Sequence, residues 1–80
     1  MTLHIRKVTT NFGKRYNMHS VHVDGIMVLQ FAKTSPQGDY EVTQSNPHYF
    51  SYAAINAIHT ALMGCVLIAD AKTIIKSHCA

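Results

Sequence analysis

The sequence predicts one small α+β domain, residues 1–80, in which an antiparallel sheet of three to five strands packs on one main helix. Three observations carry this expectation. Polar and apolar residues alternate through most of the N-terminal half, Asp24-Gly25 sits between two such runs, and a later stretch spaces Ile55, Ile58 and Leu62 three and four residues apart. The first two are the marks of paired strands, and the third is the mark of a helix with one buried face.

From Thr2 to Val8, Leu3 and Ile5 fall on one side and His4 and Arg6 on the other, the period of a strand. Asn11-Phe12-Gly13-Lys14 then supplies turn chemistry. The clearest local signal follows. Tyr16 to Val23 and Ile26 to Lys33 flank Asp24-Gly25, which suits a two-residue type I′ turn because both central positions need positive φ. Straight pairing about that turn sets Val23 against Ile26, Val21 against Val28 and His19 against Gln30 on one face. The opposite face then holds His22 with Met27, Ser20 with Leu29, Met18 with Phe31 and Tyr16 with Lys33. Apolar pairs fall on both faces, so one is expected under a helix and the other as a second core layer or a contact surface.

Ser35-Pro36-Gln37-Gly38 punctuates the chain, and Asp39 to Thr43 alternates as a short edge strand. Ser45-Asn46-Pro47 reads as a helix start, with Asn46 as the capping side chain and Pro47 in the first turn. A helix of about four turns follows, and Gly64 is placed to end it. Cys65 to Ala69 is short and apolar, as a buried strand would be. In Lys72 to His78, Ala71, Ile74, Ile75 and His78 match a helical face, whereas Thr73-Ile74-Ile75 has high β propensity; the β-branched run favours a strand. The expected core is Val21, Val23, Ile26, Val28, Ile55, Ile58, Leu62, Val66 and Ile68.

With 80 residues, 48% hydrophobic and 14% charged, the chain has enough apolar matter to fold and too little length for a second domain. No run approaches the roughly 18 apolar residues of a membrane span, and the start Met1-Thr2-Leu3-His4-Ile5 lacks the apolar region of a secretory signal, which together point to the cytoplasm. Two cysteines are too few for a disulfide framework and agree with a reducing compartment. Cys65 is expected to be a small buried hydrophobe, and Cys79 to be exposed.

The net charge of +3 is unevenly placed. Residues 1–33 hold Arg6, Lys7, Lys14, Arg15 and Lys33 against Asp24, a balance of +4; residues 34–80 come to −1. A basic half suits an anionic partner, either phosphate backbone or an acidic protein face.

Six histidines call for a metal test. His19 and His22 stand three apart, which on a strand sends their rings to opposite faces unless a bulge intervenes, and no Cys-x2-Cys or His-Glu-x-x-His spacing is present. No metal or cofactor is expected. Cys65 lies in an apolar run where burial raises a thiol pKa, and the four carboxylates form no pair. Neither pattern supports catalysis, and the chain is expected not to be an enzyme. Phe12-Gly13-Lys14-Arg15-Tyr16 interleaves rings with cations, but Ile26 to Phe31 is largely aliphatic where a sheet-based RNA binder carries stacking rings. Of Tyr49, Phe50 and Tyr52, at least one is expected in the core.

The order strand, Asp-Gly hairpin, helix and short apolar strand, carried by Val21-His22-Val23-Asp24-Gly25-Ile26-Met27-Val28, Ala53 to Met63 and Val66-Leu67-Ile68, resembles the compact inhibitors of phages and mobile elements, anti-CRISPR proteins among them. That resemblance implies a stoichiometric blocker of a CRISPR-Cas subunit in the cytoplasm of a bacterial host. Many such inhibitors are acidic and imitate DNA; this chain is basic, which favours direct protein contact. The expected partner-binding residues are Arg6, Lys7, Lys14, Arg15, Tyr16 and Lys33, with Tyr16 as an aromatic anchor. The alternative is a small nucleic-acid-binding module that uses the same basic half.

Overall fold

The computed structural model describes residues 2–9 and 15–79. The turn expected at Asn11-Phe12-Gly13-Lys14, and with it Lys14 as a contact residue, lies outside them. The element order is β1 (Leu3–Lys7), β2 (Tyr16–Val23), β3 (Ile26–Lys33), β4 (Tyr40–Ser45), α1 (Tyr52–Leu62) and α2 (Ile68–Cys79). The strands form an antiparallel meander in the order β1-β2-β3-β4, and the helices join its buried face in one core, so the architecture is the expected α+β sandwich. Val21, Leu29 and Phe31 meet Ile58 and Leu62 of α1 and Ala71 and Ile75 of α2 there, all of them fully buried.

The β2–β3 turn is as read: Asp24 (φ +52°) and Gly25 (φ +83°) both take the left-handed conformation. Asp24 also ties β1 to the turn. Its N–H donates to the Thr2 carbonyl at 2.8 Å, and its carboxylate accepts from the Thr2 N–H at 2.7 Å.

Past the turn the ladder departs from straight pairing. Val23 faces Ile26 and His22 faces Met27 as expected, but Val21 faces Leu29, not Val28, because β3 carries an extra residue at that point. A second irregularity puts an extra residue into β2 between Tyr16 and His19, where Asn17 adopts φ +50°, and the expected pairing of Tyr16 with Lys33 is restored. The bulges re-sort the side chains. Val28 and Leu29, consecutive in sequence, are both fully buried in the core, and Phe31 moves opposite His19 onto the same face. A third irregularity, in β4 between Val42 and Gln44, leaves Phe31 facing Val42.

Asn46 caps a turn rather than the helix. Its carboxamide accepts from His48 N at 2.9 Å and its carbonyl from Tyr49 N and Phe50 N, whereas Ser51 is the N-cap of α1, its hydroxyl accepting from Ala54 N at 3.1 Å. Phe50 is the ring that enters the core, while Tyr52 is 84% exposed. Gly64 (φ +78°) follows the Met63 C-cap as expected, and its N–H donates to Asp39 Oδ2 at 2.7 Å.

The C-terminal segment differs most from expectation. Residues 65–67 are an irregular connection and Ile68–Cys79 is a helix, so no strand forms at Cys65 to Ala69 or at Lys72 to His78. Ala71, Ile75 and Cys79, four apart, make its buried stripe, and Asp70 at its start with Lys76 and His78 at its end complement the helix dipole. That stripe against the sheet outweighs the β propensity of Thr73-Ile74-Ile75. Val66 and Ile26, expected in the core, are 41% and 61% exposed, and Ile55 and Ile68 sit at its margin. Cys79 is buried rather than exposed, and burial raises its thiol pKa; Cys65 is buried as expected, in a connection instead of a strand.

Candidate functional site

With both helices on one side, no helix among the described residues covers the other face of the sheet, and register determines what it shows. Arg6 stands opposite Ser20, Ser20 opposite Gln30, and Gln30 opposite Gln44, so one row of polar side chains crosses all four strands. The next row is His4, His22 and Met27. Ser20 and His22, two apart on β2 and so on one face, share a hydrogen bond of 3.0 Å between Oγ and Nε2. Arg6, His4 and Gln44 are exposed, His22 and Gln30 half-buried, and Ser20 buried beneath them.

This face is rich in donors. Arg6 offers a rigid five-donor fork, Gln30 and Gln44 offer amides, and the imidazoles offer ring nitrogens, all suited to carboxylate, phosphate or carbonyl acceptors. Among the described residues Arg6 has no carboxylate within ion-pair reach, whereas Arg15 Nη1 lies 3.6 Å from Glu41 Oε1 with both side chains roughly half exposed. Among the same residues no three His, Cys, Asp or Glu side chains are grouped to hold a metal.

The expected contact residues are dispersed by the fold. Arg6 lies at the β1 end of the polar row. Lys7, one residue on, takes the opposite face beside His19, because alternation separates neighbours on a strand. Arg15 reaches the β4 side, and Tyr16, 44% exposed, sits at the far end of β2. Lys33 does not belong to the surface at all. It is 6% exposed, and its ammonium donates to the carbonyls of Pro36 at 3.0 Å and Val66 at 3.1 Å, 5.5 Å from the Tyr40 ring centre, so it fastens the β3–β4 connection to the segment before α2.

His19 and His22 do part to opposite faces. His19 is buried, stacked 5.4 Å from Phe31, with Nδ1 2.7 Å from the Asn17 carbonyl oxygen. Burial foremost, and then the charges of Lys72 and Lys7, hold its pKa below the ordinary value of 6.5, against the opposing effect of the Asn17 bond. His4, Ser20, His22, Gln30 and Gln44 were not read from the sequence as site residues. The signal that unites them is the cross-strand register, which straight pairing misplaces by one residue.

Comparison with known protein families, characterised proteins and solved structures finds no match to the chain. Its class rests on the fold itself, a four-stranded antiparallel meander covered on one side by two helices.

Proposed function

We propose that the protein is a non-enzymatic interaction protein that occupies an acidic surface of a partner through the open face of its sheet, in the specific form of an anti-CRISPR inhibitor that blocks a CRISPR-Cas subunit. The observation that carries this reading is the row Arg6, Ser20, Gln30 and Gln44, a polar array across the sheet at whose β1 end Arg6, among the described residues, has no carboxylate partner. A flat donor array complements an acidic protein face, where charge steers encounter and sets register. Arginine is also the cation in which binding energy concentrates. Of the residues expected from sequence, Arg6 belongs to this row, Lys7, Arg15 and Tyr16 lie outside it, and Lys33 is structural.

The same donors suit a phosphate backbone, the chemistry of a nucleic-acid-binding module. Sheet-based readers of single strands add aromatic rings on the binding face. Among the described residues the central rows here hold imidazoles and a thioether in place of Phe or Tyr, which favours protein contact.

Arg6→Glu is the test. The side chain is exposed, so unfolding free energy is expected to move by no more than about 0.5 kcal/mol, while partner binding falls strongly. Phage plaquing on CRISPR-immune bacteria expressing wild type or variant reads the outcome. Plaques with wild type and none with Arg6→Glu support the inhibitor. Full immunity with well-expressed wild type, across the common CRISPR types, removes it. A salt titration against duplex and single-stranded DNA and RNA separates the alternative, because phosphate binding weakens steeply with added salt.

A further inference from the structure

On the sheet face away from the helices, the row next to Arg6 holds three side chains that bind soft metals. His4 of β1 stands opposite His22 of β2, and His22 opposite Met27 of β3, so two imidazoles and a thioether lie side by side on three neighbouring strands. The Asp24 N–H donates to the Thr2 carbonyl and the Val8 N–H to the Met18 carbonyl, each at 2.8 Å. The even-numbered residues of β1 are therefore the hydrogen-bonded partners of β2, and His4 with His22 is one such pair. Residues so paired have Cα atoms roughly 5.5 Å apart and project their side chains to the same face. Two metal–nitrogen bonds of roughly 2 Å set ring nitrogens about 4 Å apart. The two imidazoles can close on one ion without either strand moving.

One nitrogen of His22 is already engaged, since Nε2 lies 3.0 Å from Ser20 Oγ. With Nε2–H donating to that hydroxyl, Nδ1 keeps its lone pair and is the nitrogen left for a metal. Such an outer hydrogen bond is what orients a ligating imidazole. His4 is exposed, and His22 and Met27 are half-buried, so an ion reaches the row from solvent. The three rotatable bonds of Met27 let its sulfur swing toward His22.

The donor set chooses the ion. Among the described residues no carboxylate or thiol completes a group of three with the two imidazoles, so the ligands bring no negative charge. Arg6, two residues from His4 on the same face, adds a positive charge that opposes a divalent ion more than a monovalent one. Hard cations require oxygen ligands, and a structural zinc site requires four donors. A thioether selects copper(I). We propose that His4, His22 and Met27 bind one copper(I) ion, through a His4 ring nitrogen, His22 Nδ1 and the Met27 sulfur. Spacing along the chain hides the site, because each ligand comes from a different strand. The site needs no partner protein, so it and the inhibitor reading stand or fall separately.

The probe is copper(I) alone, supplied under nitrogen as its acetonitrile complex and titrated into the full chain against bicinchoninate. One equivalent is expected to be retained, with the ring signals of His4 and His22 and the methyl signal of Met27 shifting together in proton–carbon spectra. His4→Ala, at an exposed position and with circular dichroism unchanged, is expected to weaken binding roughly tenfold or more, at least the loss seen when only an outer hydrogen bond is removed. Met27→Leu is expected to remove the sulfur scatterer from the copper X-ray absorption spectrum. No retention of copper(I), affinity unchanged by His4→Ala, or tighter binding of zinc(II) than of copper(I) overturns the inference. So does a sulfur scatterer that survives Met27→Leu, which places the ion on a cysteine.

Discussion

At the scale of single residues, two side chains that look like surface chemistry in the sequence prove to be interior. Lys33 buries its long stem and sets its amino group against two carbonyl oxygens and a ring. Burial lowers the pKa of His19, with consequences for stability. Its proton is bound more weakly in the folded protein than in the unfolded chain, so between the ordinary value of 6.5 and the lower folded value the unfolded state takes up more protons. Above 6.5 the residue contributes no pH dependence; as pH falls below 6.5 stability is lost, until the folded value is passed. Urea unfolding at pH 7.5 and 5.0 is expected to show a larger loss in wild type than in His19→Phe, which keeps a ring against Phe31 and cannot titrate.

At the scale of elements, the sequence is informative wherever local chemistry decides. The Asp24-Gly25 turn, the strand at Leu3–Lys7, the edge strand near Tyr40 and the helix around Ile58 and Leu62 each carry their own signal, in required φ, alternation or spacing. The second helix was hidden because its β-branched run speaks for a strand, while the stripe Ala71, Ile75, Cys79 gains its meaning only from the sheet beneath. Two truncations separate these views. Ile75→Ala, at a fully buried position, is expected to cost on the order of 2–5 kcal/mol, whereas Leu67→Ala, 65% exposed in the connection, is expected to stay within about 0.5 kcal/mol. Comparable losses at both positions in denaturant titrations refute the α2 packing. The candidate site was less legible than the fold. Arg6 could be named from composition, but its neighbours Ser20, Gln30 and Gln44 come together through pairing that a one-residue bulge displaces.

At the scale of the whole molecule, the fold assigns different chemistry to its different surfaces. One sheet face is spent on the core. The other collects Arg6 with polar residues, and the β4 edge carries Asp39 and Glu41. The +3 net charge is therefore a poor guide to any single surface, since Lys7 and Lys72 face His19 while Arg15 answers Glu41. No helix among the described residues is long and apolar enough to cross a membrane.

The paired irregularities of the β2–β3 hairpin carry one more consequence. The extra residue in β3 and the extra residue in β2 cancel, so Val23–Ile26 at the turn and Tyr16–Lys33 at the far end are the same pairs that an unbulged ladder would form. The two arrangements are isomers that differ only in their middle. In the unbulged isomer Leu29 and Phe31 would face away from the helices, forfeiting about 1.5–3 kcal/mol of burial each. That penalty exists only when α1 and α2 are docked, so the hairpin does not choose its own isomer; the helices choose it. A peptide spanning residues 16–33 is accordingly expected to show cross-strand contacts of both Val21–Val28 and Val21–Leu29, and the intact chain only the second. Contacts of the second kind alone in the peptide would place the choice in the hairpin. Under helical control, the donor row on the far side of the sheet exists because the core beneath it is complete, and loosening either helix scrambles a surface that it never touches.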